Sequence, residues 1–308
     1  MINDTEFQQA LHSLHSARDC LRWAESCLRR DQVFLGHGTD DPWDEALALL
    51  LHVLHLPWET DPRMLDARLL PLEVEAFATL LRQRINKRVP AAYLTGEAWF
   101  CGLPFNVDRR VLIPRSPIAE LIEAGFQPFV EPDQVTRVLD LCTGSGCIAI
   151  ACAYAFPEAR IEASDISPDA LAVCETNIAR HDLQGQVRAI ESDGFAALEG
   201  LYDLIVSNPP YVDAGDFAGM PEEFRHEPAL ALTSGDDGLD FTRRLLREAA
   251  DYLTPGGVLV CEVGNSGAAL EAAFPGVPFF WLEFERGGHG VFLFTREQLV
   301  EQQKDFAA

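Results

Sequence analysis

A doubly wound α/β sheet, preceded by a small helical domain, is the fold class that this 308-residue chain predicts. Three observations carry it. From Thr136 onward, short apolar runs alternate with helical patterns, as in parallel β–α units. The run Val138-Leu139-Asp140-Leu141 passes through a glycine turn, Cys142–Cys147, into the helical stretch Ile148-Ala149-Ile150-Ala151. The last two apolar runs, Phe279–Phe284 and Val291–Phe294, are joined only by a short link holding Gly287-Gly288-His289-Gly290. A link that short closes an antiparallel pair, because a parallel crossover needs a dozen residues or more.

The elements follow in order. Phe7, Leu11, Leu14, Leu21 and Leu28 fall at helical spacing over residues 6–29. Asp41-Pro42 offers an N-cap followed by proline at the first helical position, opening the run Ala46–Leu56. Val74, Phe77, Leu80, Leu81 and Ile85 repeat the pattern over 73–88. Residues 1–88 therefore predict an N-terminal helical domain. The pairs His12/His15 and His52/His55 on these helices lack a carboxylate partner and are read as structural. Residues 89–115 predict a β-hairpin connector, with β-formers at Ala92-Tyr93-Leu94, Ala98–Cys101 and Phe105–Val107 broken at Gly96, Gly102 and Pro104.

The remainder, 116–308, is the sheet domain. A helix is expected at about 117–125. Strands are expected at 136–141, 160–164, 187–191, 202–207, 257–262, 278–284 and 290–295. Helices are expected at 146–155, 168–181 and 239–253, with a shorter one near 266–273.

Composition bounds the function. The chain is 48% hydrophobic and 23% charged, as soluble globular proteins are, and no apolar run approaches a membrane span. The start Met1-Ile2-Asn3-Asp4-Thr5-Glu6 is acidic and does not resemble a secretory signal. The eight cysteines are scattered without a Cys-x-x-Cys pair, which predicts reduced thiols, a cytoplasmic protein and no metal site. The net charge of −24 argues against direct DNA binding through phosphates and suits a basic partner. Residues 1–88 hold 10 basic and 14 acidic residues, so −20 falls on residues 89–308.

Two constellations carry chemistry. Gly144-Ser145-Gly146, after Thr143, lets a backbone approach a ligand closely. Asp165, 21 residues after Gly144 at the end of the second strand, can accept both ribose hydroxyls of a nucleoside. These two features do not separate a nicotinamide cofactor from S-adenosylmethionine. Asp193-Gly194-Phe195, after the third strand, adds a carboxylate for an adenine amino group and an aromatic ring to pack on the base. Asp140, beneath the glycine turn, is either a cofactor-side residue or a cap for backbone amides.

The second constellation is Asn208-Pro209-Pro210-Tyr211, directly after the strand Tyr202–Ser207. Two prolines remove two backbone donors and stiffen the tip. The tip offers carbonyl acceptors, a side-chain amide and a ring, which suits a planar amide or amine. An ordinary strand-ending turn is the alternative.

Taken in order, Asp140–Gly146, Asp165, Asp193 and Asn208–Tyr211 resemble the amino-methyltransferases of the Asn-Pro-Pro-Tyr type. Leu112-Ile113-Pro114-Arg115, Glu227-Pro228-x-x-Ala231-Leu232 and Gly235-x-Asp237-Gly238-Leu239 narrow the resemblance to protein glutamine-N5 methyltransferases. Gly36–Ala46, Glu97–Gly102 and Pro114–Ile122 resemble the subfamily that methylates a glutamine of the third protein of the large ribosomal subunit. The release-factor subfamily is the nearest alternative, and a dehydrogenase a distant one.

The resemblance implies a seven-stranded methyltransferase sheet, S-adenosylmethionine as methyl donor and a basic ribosomal protein as partner, with the helical domain recognising it. It implies Asn208, Pro209, Pro210 and Tyr211 at the reacting centre. Asp140, Thr143, Gly144, Ser145, Gly146, Asp165, Asp193, Phe195 and Asn208 would hold the cofactor. Asn208, Tyr211 and Glu227 would meet the substrate.

Overall fold

The computed structural model describes residues 1–307. The chain divides into two compact units. One comprises Met1–Glu97 with Pro221–His226; the other comprises Ala98–Met220 with the segment from Glu227 onward.

The first unit is helical. Asn3 accepts the Glu6 N–H and opens α1 (Asp4–Ser13). A capping box of Ser16 and Asp19 opens α2 (Ala17–Arg30). That box divides the expected 6–29 stretch into two helices, because Ser16 and Asp19 offer the backbone local partners that stop one helix and start the next. Asp41 accepts from the Trp43 and Asp44 amides at the head of α3 (Pro42–Leu54), followed by α4 (Pro71–Asn86).

Ala92-Tyr93-Leu94, expected as strand, instead lies in the short helix α5 (Ala91–Thr95). Pro90 precedes its first turn and Gly96, at φ +74°, ends it; the two terminators outweigh the β-preference of three residues. Leu21, Leu49, Phe77 and Leu81 are fully buried in the core of this unit. Arg84 is buried among them and donates to Glu45, to Glu223 at 3.3 Å and to the Phe34 carbonyl at 2.6 Å. His12, His15, His52 and His55 are all exposed.

The second unit begins with a hairpin, β1 (Glu97–Phe100) and β2 (Leu103–Asn106). Its turn residues Cys101 and Gly102 both have positive φ, the tight type that matches strand twist. After α6 (Ile118–Glu123) comes the sheet. Its strands are β3 (Arg137–Leu141), β4 (Arg160–Asp165), β5 (Val187–Glu191), β6 (Tyr202–Ser207), β7 (Leu253–Glu262), β8 (Phe280–Trp281) and β9 (Val291–Thr295).

The strand order is β5-β4-β3-β6-β7-β9-β8. The first five are parallel, and β9 pairs antiparallel with both β7 and β8. The expected strand over 278–284 contracts to two residues. Pro278 has no N–H to give to a ladder, and residues 283–289 are mostly exposed. The intervening helices include α7 (Cys147–Ala155), α8 (Pro168–Arg180), α9 (Ala214–Gly219), α10 (Asp240–Glu248) and α11 (Gly267–Ala273).

Because β3 has β4 on one side and β6 on the other, connections diverge there. The crevice at the carboxyl ends of β3 and β6 is where such sheets receive ligands. Among the described residues, no helix is long and apolar enough to cross a membrane.

Candidate active site

A cavity of about 210 Å³ opens at that switch point. One wall is the turn after β3. Asp140 lies beneath it, fully buried. Its Oδ2 accepts the Thr143 hydroxyl at 2.5 Å and the Ala149 amide at 2.9 Å. Burial pushes its carboxyl up to about 7. Asp140 does not line the cavity, so it fastens the turn to the first turn of α7; a direct cofactor contact is not what this geometry provides.

Thr143, Gly144, Ser145 and Cys147 line the cavity above it. Gly146 does not; its φ is +81°, and a Cβ there would lie 2.6 Å from the Cys174 sulfur. It is glycine so that the turn can close against α8. The Cβ position of Gly144, by contrast, faces open space.

Asp165, at the end of β4, also lines the cavity. Its Oδ2 accepts the Gly144 amide at 2.9 Å and its Oδ1 accepts the Ser167 amide at 2.9 Å. Burial raises its carboxyl above the ordinary range, against the pull of these amides. Each oxygen retains a lone pair, so the carboxylate can hold the glycine turn and still receive two hydroxyls.

Asp193 stands at the cavity wall after β5, and Arg244 of α10 pins it. The guanidinium donates to its Oδ1 at 2.5 Å and to its carbonyl at 2.8 Å. Phe195 does not join the wall. The turn at Gly194, φ +57°, carries its ring into the core, where it stacks on Tyr252 at 4.4 Å between centroids. The base-packing role expected of Phe195 has no support from this placement. Ile166 and Phe241 supply the apolar surface instead. Ile166 is half exposed directly after Asp165, and that exposure of a β-branched residue was the available sequence clue only once the strand end was known.

Asn208 and Pro210 line the opposite side. The Ser207 hydroxyl donates to the Leu141 carbonyl at 2.7 Å, tying the end of β6 to β3, so the tip and the glycine turn rest on adjacent strand ends. The Asn208 side-chain amide is bonded to no other described group. Pro209 is buried and Tyr211 does not line the cavity. Tyr211 donates its hydroxyl to Glu262 at 3.0 Å, and burial pushes its pKa well above the ordinary phenol value.

Glu227, expected at the substrate, is buried behind the wall. It accepts Arg115 through both oxygens, at 2.6 and 2.7 Å, and the Ile113 amide at 3.0 Å. The fork-to-fork pair fixes Arg115, which does line the cavity, with Pro228, Leu230 and Ala231 beyond it. A carboxylate satisfied by three donors is a clamp rather than a ligand for an incoming amide. Sequence reading therefore identified Thr143, Gly144, Ser145, Asp165, Asp193, Asn208 and Pro210 on the cavity wall. It missed Ile166, Phe241, Arg244 and Glu262. Glu262 carried one signal, a lone carboxylate ending the apolar run Val258–Cys261.

A methyltransferase small domain model matches residues 126–237. A ribosomal protein uL3 glutamine methyltransferase from Francisella tularensis subsp. tularensis is 48% identical over 308 residues, covering 99% of this chain and 98% of its own. The protein of the same name from Bordetella pertussis is 50% identical over 288 residues, covering 93% and 97%. Among solved structures, the hMettl16 catalytic domain in complex with a MAT2A 3′UTR hairpin superposes with a TM-score of 0.51 at 17% identity, over 73% of this chain and 81% of that one. At that identity the likeness concerns the fold alone.

Proposed function

This chain belongs to the family of ribosomal protein uL3 glutamine methyltransferases, and on that premise we propose that it transfers a methyl group from S-adenosylmethionine to the side-chain amide nitrogen (N5) of a glutamine in ribosomal protein uL3. The observation that supports this reading best is the side-chain amide of Asn208, bonded to no other group among the described residues, in the same cavity as Gly144 and Asp165. Donor and acceptor ends share one cavity, so transfer can be direct.

The residues present fit the methyl donor. Open space over Gly144, two spare lone pairs on Asp165, the pinned carboxylate of Asp193 and the apolar flank of Ile166 match a nucleoside joined to an amino-acid tail. When bound, S-adenosylmethionine supplies an electrophilic methyl on a sulfonium. The protein's task lies on the other side. An amide nitrogen is a poor nucleophile because its lone pair is delocalised into the carbonyl. Asn208 Oδ1 and the Pro209 carbonyl accept its two N–H bonds, which hold the nitrogen and favour its pyramidal form, and one of those two protons leaves to solvent after the methyl has been transferred. Tyr211, which does not line the cavity, anchors the end of this tip through Glu262 and Ser266. Holding both partners in attack geometry supplies much of the acceleration, and carbonyl dipoles placed in advance supply more.

The net charge of −24 suits capture of a basic ribosomal protein, and the chain's place in translation suits a cytoplasmic site of action.

The test is methyl transfer to purified uL3, read by mass spectrometry, alongside calorimetry with S-adenosylmethionine. Asn208→Ala is expected to lower transfer by on the order of 100-fold or more while leaving cofactor affinity within a few fold. Retained turnover would refute the role of Asn208, and transfer to release factors but not to uL3 would refute the substrate.

A further inference from the structure

Glu262 is the last residue of β7, and it ends four consecutive buried apolar positions, Val258–Cys261. An acid in that place is costly, because burial disfavours its charged form, and its carboxyl is pushed up to about 7. Its partners explain the location. Oε1 accepts the Tyr211 hydroxyl at 3.0 Å, and Oε2 accepts the Ser116 hydroxyl at 2.5 Å. Ser116 lines the cavity beside Arg115. Tyr211 ends the prolyl tip. One carboxylate therefore joins Ser116 of the cavity wall to Tyr211 at the end of the prolyl tip, residues 95 apart in the chain. The nearby cation, Arg115, is already held by both oxygens of Glu227, so Glu262 serves hydroxyl groups.

The rest of the tip is held as closely. The Ser266 hydroxyl donates to the Tyr211 carbonyl at 2.6 Å, and the Tyr211 amide donates to the Leu232 carbonyl at 3.1 Å. A Cβ on Gly264 would lie 2.6 Å from Tyr211 Cε2, and one on Gly238 would collide with the Tyr211 carbonyl. Both glycines are needed because this tyrosine occupies the space.

We infer that Glu262 is a positioning residue for methyl transfer. It holds the Tyr211 ring and the Ser116 wall in one arrangement, so that the acceptor amide meets a preformed seat. This rests on the reading that Asn208–Tyr211 seats the substrate glutamine. Without Glu262, Tyr211 loses the tether on its hydroxyl and the ring gains torsional freedom at the seat. The donor side of the cavity, built on Gly144, Asp165 and Asp193, does not use Glu262.

The test compares wild type, Glu262→Ala, Glu262→Gln, Tyr211→Phe and the double variant Glu262→Ala/Tyr211→Phe, with steady-state transfer to uL3 and calorimetry for S-adenosylmethionine. Glu262→Ala is expected to lower kcat by about tenfold, the scale of one lost hydrogen bond to a charged group, with cofactor affinity unchanged. Glu262→Gln keeps an acceptor for Tyr211 and places an N–H on Ser116, and is expected to recover most of kcat. The double variant is expected to be no slower than the slower single variant, since both changes break one contact. Wild-type kcat in Glu262→Ala, equal losses in Glu262→Gln and Glu262→Ala, or additive losses in the double variant would overturn the inference. If Glu262→Ala does not fold, Glu262→Gln against Tyr211→Phe still decides, because a positioning role requires the first to be faster than the second. An inactive wild type would instead refute the proposed function, and this inference with it.

Discussion

The two units bury charge in opposite ways. In the helical unit, the buried guanidinium of Arg84 is answered by Glu45 and Glu223, and Arg88 brings a second cation to Glu223 at 3.5 Å, so cations and carboxylates are paired inside the core. In the sheet unit, Asp140 and Glu262 are buried with hydroxyls and one backbone amide as their hydrogen-bond partners, and both carboxyls are pushed up to about 7. Paired ions hold a shape, and burial raises the Glu45 carboxyl even beside Arg84. Carboxylates bonded to hydroxyls and amides hold turns and side chains at the cavity, and their ionisation lies in the neutral range.

Removing the helical unit's cation is the largest expected perturbation. Arg84→Met leaves two buried carboxylates facing one another and is expected to cost about 3–5 kcal/mol, measured by urea unfolding. A loss below about 1 kcal/mol would mean the cluster behaves as a surface pair.

In the sheet unit the corresponding group is Asp140. Its folded value lies above the ordinary 3.8, so its stabilising contribution is complete below that pH and is lost as pH rises through about 7. Asp140→Asn, which keeps the acceptor for Thr143 and Ala149, is expected to gain stability relative to wild type across this window. The gain should approach roughly 3–4 kcal/mol near pH 8. Thermal unfolding of both proteins from pH 4 to 8 checks it, and parallel curves would contradict the assignment.

At the cavity the expected effects are smaller and fall on binding. Asp165→Ala should weaken S-adenosylmethionine by about 10–100-fold in calorimetry. Ile166→Ala should weaken it by about tenfold, whereas Phe195→Ala should lower stability and leave affinity unchanged. Arg244→Met, which frees an exposed carboxylate, should cost less than about 1 kcal/mol of cofactor binding.

The contrast between Ile166 and Phe195 also marks what the sequence could and could not convey. Strand positions were readable because burial on both faces of a parallel sheet leaves apolar runs; β5 and β6 fall on the expected residues. The glycine turn, Asp165 and Asn208 were readable because strand ends at a switch point face a ligand whatever the rest of the chain does. Phe195 and Glu227 were placed on the cavity by their position in the chain, yet the Gly194 turn swings one into the core and Arg115 draws the other behind the wall.

Glu262 and Arg244 act through partners distant in sequence, Tyr211 and Ser116 for one and Asp193 for the other. No local pattern encodes such pairs. In the helical unit, Ala92–Leu94 read as strand on residue type, and the terminators on either side decided for helix.

The central claim is that the Asn208 tip presents a protein glutamine to a methyl donor. The most direct measurement is site-resolved mass spectrometry of uL3 from cells that lack this chain, complemented with wild type or with Asn208→Ala. One glutamine side-chain methyl is expected to disappear with the chain, to return with wild type and to remain absent with Asn208→Ala. Return of the methyl with Asn208→Ala, or a uL3 methylation state that does not change when the chain is removed, would contradict it.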